Sequence, residues 1–206
     1  MRSLLALLLL LPLAACSDDG AWWEDPPEGT RWVGYDGQVV AVPDWWTTGE
    51  TQCGEPVEDT VWFDSGAIHR CADPASASEV RASSNLAVRS EDGRTSFAVT
   101  IADEADGSEA DIVESERTLP DGVTTVPLEV DGSTPSWGAD PDVADALVAA
   151  IEDAGLEAEV EVLEPDPGGD VADLPRGALL DVEPTLGTPI ARGGRVLVTV
   201  MGTSVP

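Results

Sequence analysis

Three cysteines, one histidine and 40 carboxylates carry whatever chemistry this chain can perform, and their spacing narrows it quickly. His69 is the sole histidine, so zinc sites built on two or three histidines and the HExxH arrangement are out of reach within one chain. It lies two residues before Cys71, the spacing nearest to a thiol beside its base. Neighbours in sequence seldom reach nucleophile geometry, however, and a lone histidine here reads as a surface or hydrogen-bonded residue. All ten basic residues are arginine, which removes both the phosphate-gripping P-loop lysine and the lysine Schiff base. The many carboxylates make an acid–base pair for hydrolysis geometrically available. Abundance alone assigns none, and no GxSxG or SxxK nucleophile signature is present. The densest acidic run, Asp103 to Asp111, offers the hard oxygen ligands that calcium takes. Counted from Asp103, though, the third position is Ala105 and the glycine, Gly107, falls fifth, which departs from EF-hand spacing, so the run reads as a solvated hairpin loop. Nothing in these residues requires a cofactor or a dedicated metal.

The first fifteen residues have the design of a secretory signal: Arg2 at the start, an apolar run from Leu4 to Leu11, then small residues. The run falls short of the roughly 20 apolar residues that a spanning helix needs, and polarity returns at Ser17, Asp18 and Asp19. Leu13-Ala14-Ala15-Cys16 resembles the bacterial lipobox, whose cysteine is lipidated and becomes the first mature residue. The resemblance implies lipidation at Cys16 and a product anchored through its N-terminal lipid to the outer face of a bacterial plasma membrane. Each buried acyl CH₂ contributes about 0.8 kcal/mol, so two or three chains hold a protein on a bilayer almost permanently. With Cys16 so occupied, Cys53 and Cys71 remain as one pair with seventeen residues between them. In an oxidising compartment they are expected to form a disulfide, restricting the unfolded chain by about 3 kcal/mol, with two free thiols as the alternative.

Charge sets the partner class. Forty acidic residues against ten basic ones leave a formal net charge of -30, a field that repels any polyanion and excludes nucleic acid. Hydrophobic residues at 42% and a mean hydropathy of -0.04 nonetheless supply enough apolar surface for a core. The 206 residues amount to one or two small domains.

Residues 16–30 are acidic, proline-containing and aperiodic and read as a tether, with Trp22 and Trp23 placed either to rest at the lipid interface or to pack back on the folded part. Residues 31–133 carry short β runs at Gln38–Val42, Thr60–Phe63, Asn85–Val88, Ser96–Ile101, Ile112–Val113 and Val123–Val130, separated by Asp/Gly-rich turns. Thr60–Phe63 and Ala67–Cys71 are expected to form a hairpin across Asp64-Ser65-Gly66. The tryptophans of this first half suggest stacking platforms for sugars, but packing in a small β core is the stronger expectation.

Residues 134–206 contain the clearest helical pattern. Asp140-Pro141 provides an N-cap and a first-turn proline, Val143, Ala144, Leu147, Val148 and Ile151 form a stripe, and Gly155 ends it. Leu156, Ala158, Val160 and Val162 alternate with Glu157, Glu159 and Glu161, as in a strand with one buried face. Further β runs follow at Ala178–Val182 and Arg195–Val200. From Asp145 to Leu156, then through Pro175-Arg176-Gly177, Pro184, Gly187, Gly193-Gly194 and Arg195–Val200, the sequence resembles a PASTA domain over residues 140–202. The resemblance implies one helix against three strands and a place at the bacterial surface near peptidoglycan. It carries over no binding residue. Arg176, Arg192 and Arg195 are the cations of this segment, and they are better placed to screen acidic neighbours than to meet a stem-peptide carboxylate.

The expected fold is therefore α+β: a small mainly-β domain with one disulfide, followed by a one-helix, three-strand unit. The expected function is that of a non-enzymatic extracytoplasmic lipoprotein contacting cell-wall material, peptidoglycan above all, or another envelope protein. Two rivals are a secreted carboxylate-dependent hydrolase, which needs a cleft holding two carboxylates, and a structural subunit of an exported complex.

Overall fold

A computed structural model of the chain describes residues 24–66, 76–81, 83–91, 93–102, 116–164 and 174–202. Strand β1 (Thr30–Tyr35) turns tightly into β2 (Gln38–Pro43), with Tyr35 paired to Gln38. The two turn residues, Asp36 and Gly37, both have positive φ, 48° and 79°, the backbone that a two-residue hairpin turn requires. The apolar run of β2 is buried on both faces: Val40 and Val42 join the main core, while Val39 and Ala41 pack with Trp32 in a smaller cluster. Short strand β9 (Arg117–Thr118) completes this sheet along β2.

A four-stranded sheet runs in the order β3 (Thr47–Thr48), β6 (Thr60–Phe63), β7 (Asn85–Glu91), β8 (Arg94–Thr100). Strands β4 (Thr51–Gln52) and β5 (Glu55–Pro56) form a separate small ribbon. The neighbours of β6 are β3 and β7, and it is parallel to both, so its pairing differs from the expected hairpin. Residues Ala67–Cys71, the other arm of that hairpin, lie outside the described residues. Parallel pairing of β6 with β7 requires a crossover, and the crossover contains helix α1 (Ala77–Arg81). A capping box starts this helix: the Glu79 N–H donates to Ser76 Oγ (3.2 Å) and the Ser76 N–H donates to Glu79 Oε2 (2.7 Å). The Ser76 hydroxyl and then the Ser76 N–H, both hydrogen-bonding the carboxylate, favour its ionised form and hold the Glu79 pKa below its usual value.

Helix α2 (Pro141–Asp153) buries Ala144, Leu147 and Ile151, the expected stripe, and Gly155 follows it at φ 77°. It packs on a three-stranded sheet ordered β11 (Glu157–Leu163), β14 (Arg195–Met201), β12 (Leu179–Glu183), with β14 parallel to β11 and antiparallel to β12. Strand β13 (Pro189–Ala191) leaves this sheet and pairs with β10 (Val123–Thr125) from the earlier half of the chain. One buried cluster accordingly takes in Val33, Val61, Leu86 and Leu128 together with Leu147, Ile151, Val196 and Val198.

The α+β expectation is corrected by this arrangement. Strands account for 45% of the structure and helices for 11%, spread over several small sheets, so the chain is mainly β. Two helices are present among the described residues, against the single helix expected, because the Ser76–Glu79 capping box nucleates α1 without any apolar stripe. The later segment is also more than one helix on three strands, since β13 is recruited by β10. The expected Cys53–Cys71 disulfide involves Cys71, which lies outside the described residues, as do Cys16, His69, Trp22, Trp23 and the Asp103–Asp111 run. One further expectation fails on β11: Leu156 is buried, but Val160 and Val162, predicted to be covered, are 49% and 57% exposed.

Candidate functional site

Three separate segments meet at a shallow groove beside β12. The first is Thr48 to Glu50. Gly49 lies between them at φ 85°, its N–H donating to the Val61 carbonyl at 2.8 Å. A Cβ on Gly49 would come within 2.7 Å of the Pro135 carbonyl oxygen, so glycine is what allows this segment to lie against the second one, Pro135 to Trp137. That second segment is fastened to β12 by two bonds, Gly138 N–H to the Leu179 carbonyl (2.7 Å) and Leu179 N–H to the Ala139 carbonyl (3.0 Å). Trp137 therefore stands at a rigid junction with its side chain 53% exposed. The third segment is β12 itself, whose register against β14 shifts between Leu179 and Asp181. Such an irregularity re-aims the side chains around it, and Asp181 reaches the groove wall while its Oδ1 accepts from the Val182 N–H at 2.8 Å.

The groove encloses about 160 Å³, smaller than the few hundred Å³ of a site that engulfs a ligand. It suits a ligand that presents one ring or one short side group and leaves the rest in solvent. Its chemistry is mixed: the Trp137 indole, the Glu50 and Asp181 carboxylates, the hydroxyls of Thr48 and Thr185, and a floor of buried Leu179, Val182 and Leu186. An indole face takes the C–H side of a saccharide ring, and carboxylates and hydroxyls accept from or donate to its hydroxyl groups. Among the described residues no cluster of three or more His, Cys, Asp or Glu is placed to hold a metal ion.

The surroundings of Glu50 disfavour its charged form. Partial burial, and then the Glu58 charge, push its pKa above the usual carboxylate value. The folded chain thus holds this proton more tightly than the unfolded chain does. Glu50 contributes least strain to the fold below its unfolded pKa and works against the fold as pH rises through the folded value. Glu50→Gln is expected to raise the melting temperature at pH 7 and to leave it unchanged near pH 3.5, where both states are protonated. Equal shifts at the two pH values would contradict the burial-and-repulsion account.

The tryptophan expectation divides. Trp32 and Trp46 are core residues, 8% and 4% exposed, as packing required, whereas Trp45 is 65% exposed and meets Trp46 edge-on at a centroid distance of 6.2 Å. Trp137, which no sequence pattern singled out, is the tryptophan that lines the groove. Glu50 and Asp181 were also missed, since they are two among forty carboxylates and 131 positions apart. The available signal was local: a large aromatic between Pro135-Ser136 and Gly138, in a stretch too short to bury it. Arg176, Arg192 and Arg195 are exposed, and Arg195 pairs with Glu159 at 3.2 Å, in line with a screening role. Among the described residues no helix is long and apolar enough to cross a membrane. No family model, curated protein or solved structure matches the chain.

Proposed function

We propose that the chain is an extracytoplasmic lipoprotein, held to a bacterial plasma membrane through lipid on Cys16, that binds cell-wall material without transforming it, with a glycan ring of peptidoglycan seated on Trp137. The observation that carries the reading is the half-exposed indole that lines, together with Glu50 and Asp181, a groove too small to engulf a substrate. The lipobox-like Leu13–Cys16 supplies the anchor, and the motif order from Pro175 to Val200, with its resemblance to PASTA domains, points to the same compartment. Solvent-facing polar and aromatic groups around the junction, in a groove that leaves most of a ligand in solvent, favour holding over chemistry.

Retention of the mature chain on purified sacculi tests the binding. Retention should exceed that of a charge-matched acidic protein at both low and high salt, and Trp137→Ala should reduce it at least tenfold, the loss of one stacked ring being worth about 1.5 kcal/mol or more. Retention equal to the control, or unaffected by Trp137→Ala, removes the groove from the account. Release of reducing ends from the sacculi, abolished by Glu50→Gln, would instead place the chain among carboxylate-dependent hydrolases. The anchor is read from the mass of the mature N-terminal peptide: diacylated or triacylated Cys16 supports it, and recovery of intact Met1 from the cytosol overturns it.

A further inference from the structure

The sheet that bears the groove along β12 has a second edge, β11, on the far side of β14. Among the described residues no strand pairs with its outer side. In the parallel β11–β14 ladder the Glu157 N–H donates to the Gly194 carbonyl (2.9 Å), and the Leu163 carbonyl accepts from the Gly202 N–H (2.8 Å). The backbone groups of 157, 159, 161 and 163 therefore face β14, and those of Ala158, Val160 and Val162 face outward, because successive peptide groups alternate along a strand. The side chains alternate too. Val160 and Val162 stand on the same face as their β14 partners Val198 and Val200, but Val198 is fully buried while Val160 and Val162 are 49% and 57% exposed. Leu163 at the strand end is 47% exposed. The opposite face carries Glu157, Glu159 and Glu161, all exposed, in a row spaced about 7 Å apart.

We propose that the β11 edge is a strand-addition surface for a protein partner whose docking segment is extended and alternates Arg or Lys with apolar residues. The outward N–H and C=O groups of Ala158, Val160 and Val162 give such a segment its main-chain ladder. Its apolar residues cover Val160 and Val162, and its cations stand opposite the glutamate row, where opposite-charge cross-strand pairs are favourable. Charge selects this occupant. A second copy of the chain would bring its own glutamate row against this one, and like charges directly opposite are destabilising. A polyanion meets the same repulsion across a surface with a net charge of -30. This surface is independent of the groove and holds whether or not a glycan binds there.

The test uses the full mature chain and three synthetic peptides: one alternating Arg and Val, a scramble of identical composition in which the alternation is lost, and one alternating Glu and Val. Titration calorimetry should show binding of the first, at least tenfold weaker binding of the scramble, and none of the third. Val160→Pro removes an N–H that faces outward, sparing the bonds to β14, and should weaken binding of the alternating peptide at least tenfold. Glu157→Lys/Glu161→Lys, which leaves the Glu159–Arg195 pair in place, should do the same and keeps the test decisive where the proline variant fails to fold. Equal binding of peptide and scramble, or unchanged binding by the variants, would show only attraction to an acidic surface and overturn the proposal. Concentration-dependent dimerisation lost in Val160→Pro, without peptide binding, would assign the edge to a second copy and overturn it as well.

Discussion

Leu147→Ala should cost the whole chain about 2–5 kcal/mol of folding stability, enough to bring a protein with an ordinary 5–15 kcal/mol close to unfolding. Leu147 is fully buried at the centre of the α2 stripe and belongs to the same buried cluster as Trp46, Leu86 and Leu128. Truncation removes a side chain's transfer energy and leaves a cavity that two sheets and a helix can only partly close. The half-buried neighbour Val148 provides the comparison: Val148→Ala should cost distinctly less, since less surface is returned to water. The decisive feature is cooperativity. Because one core spans residues 33 to 198, the far-ultraviolet signal of α2 and the fluorescence of buried Trp46 should be lost together in denaturant, with a common midpoint lowered by Leu147→Ala. A variant that shifts the helical signal and leaves the tryptophan transition in place would show that the cluster is two cores and not one.

Gly187→Ala should cost about 2–4 kcal/mol, from two effects that a companion variant separates. Gly187 has φ 79°, which costs an L-residue about 1–2 kcal/mol wherever it occurs. Its added Cβ would also lie 2.9 Å from Val33 Cγ1, and Val33 is fully buried with no room to withdraw. The Gly187 peptide is a junction: its carbonyl accepts from the Gly34 N–H (2.8 Å) and its N–H donates to the Val126 carbonyl (2.8 Å), binding β1, the 126–130 segment and the β12–β13 loop together. Gly193 has nearly the same φ, 77°, with nothing within 4 Å of the Cβ position. Gly193→Ala should therefore show the backbone penalty alone, and the difference between the two melting midpoints measures the crowding at Val33. Similar costs for both would mean that Val33 yields without difficulty and that this junction is looser than its contacts imply.

Local signals in the chain located most of the elements. Asp36-Gly37 announces the β1–β2 hairpin, Asp140-Pro141 and the apolar stripe announce α2, and β runs were recognisable where β2, β6, β7, β8, β12 and β14 form. Helix α1 was legible in principle, through Ser76 and Glu79, but a capped turn without an apolar face offers no periodicity to notice. Pairing was a different matter. The short connection after β6 suggested an antiparallel neighbour, and the structure gives β6 two parallel ones, because the choice depends on which distant strand buries Val61 and Thr60 best. The same holds for β11, where perfect alternation predicted a covered face. Alternation records that one face is apolar; whether α2 is long enough and placed to cover it is decided elsewhere in the chain.

By itself the sequence determined charge and side-chain chemistry: a strongly negative field, arginine as the sole strong cation, a single histidine, and a Leu13–Cys16 stretch that resembles a lipobox, all properties that summation and short motifs express. It also determined the turns and helix boundaries, which depend on the φ values available to a few residues. Only the tertiary structure decided that residues on both sides of position 133 share one core, that Trp137, Glu50 and Asp181 line one groove, and that β11 ends a sheet with its valines uncovered. Those outcomes rest on contacts between segments far apart in the chain. Their energy depends on which surfaces meet, a quantity that no local pattern of residues contains.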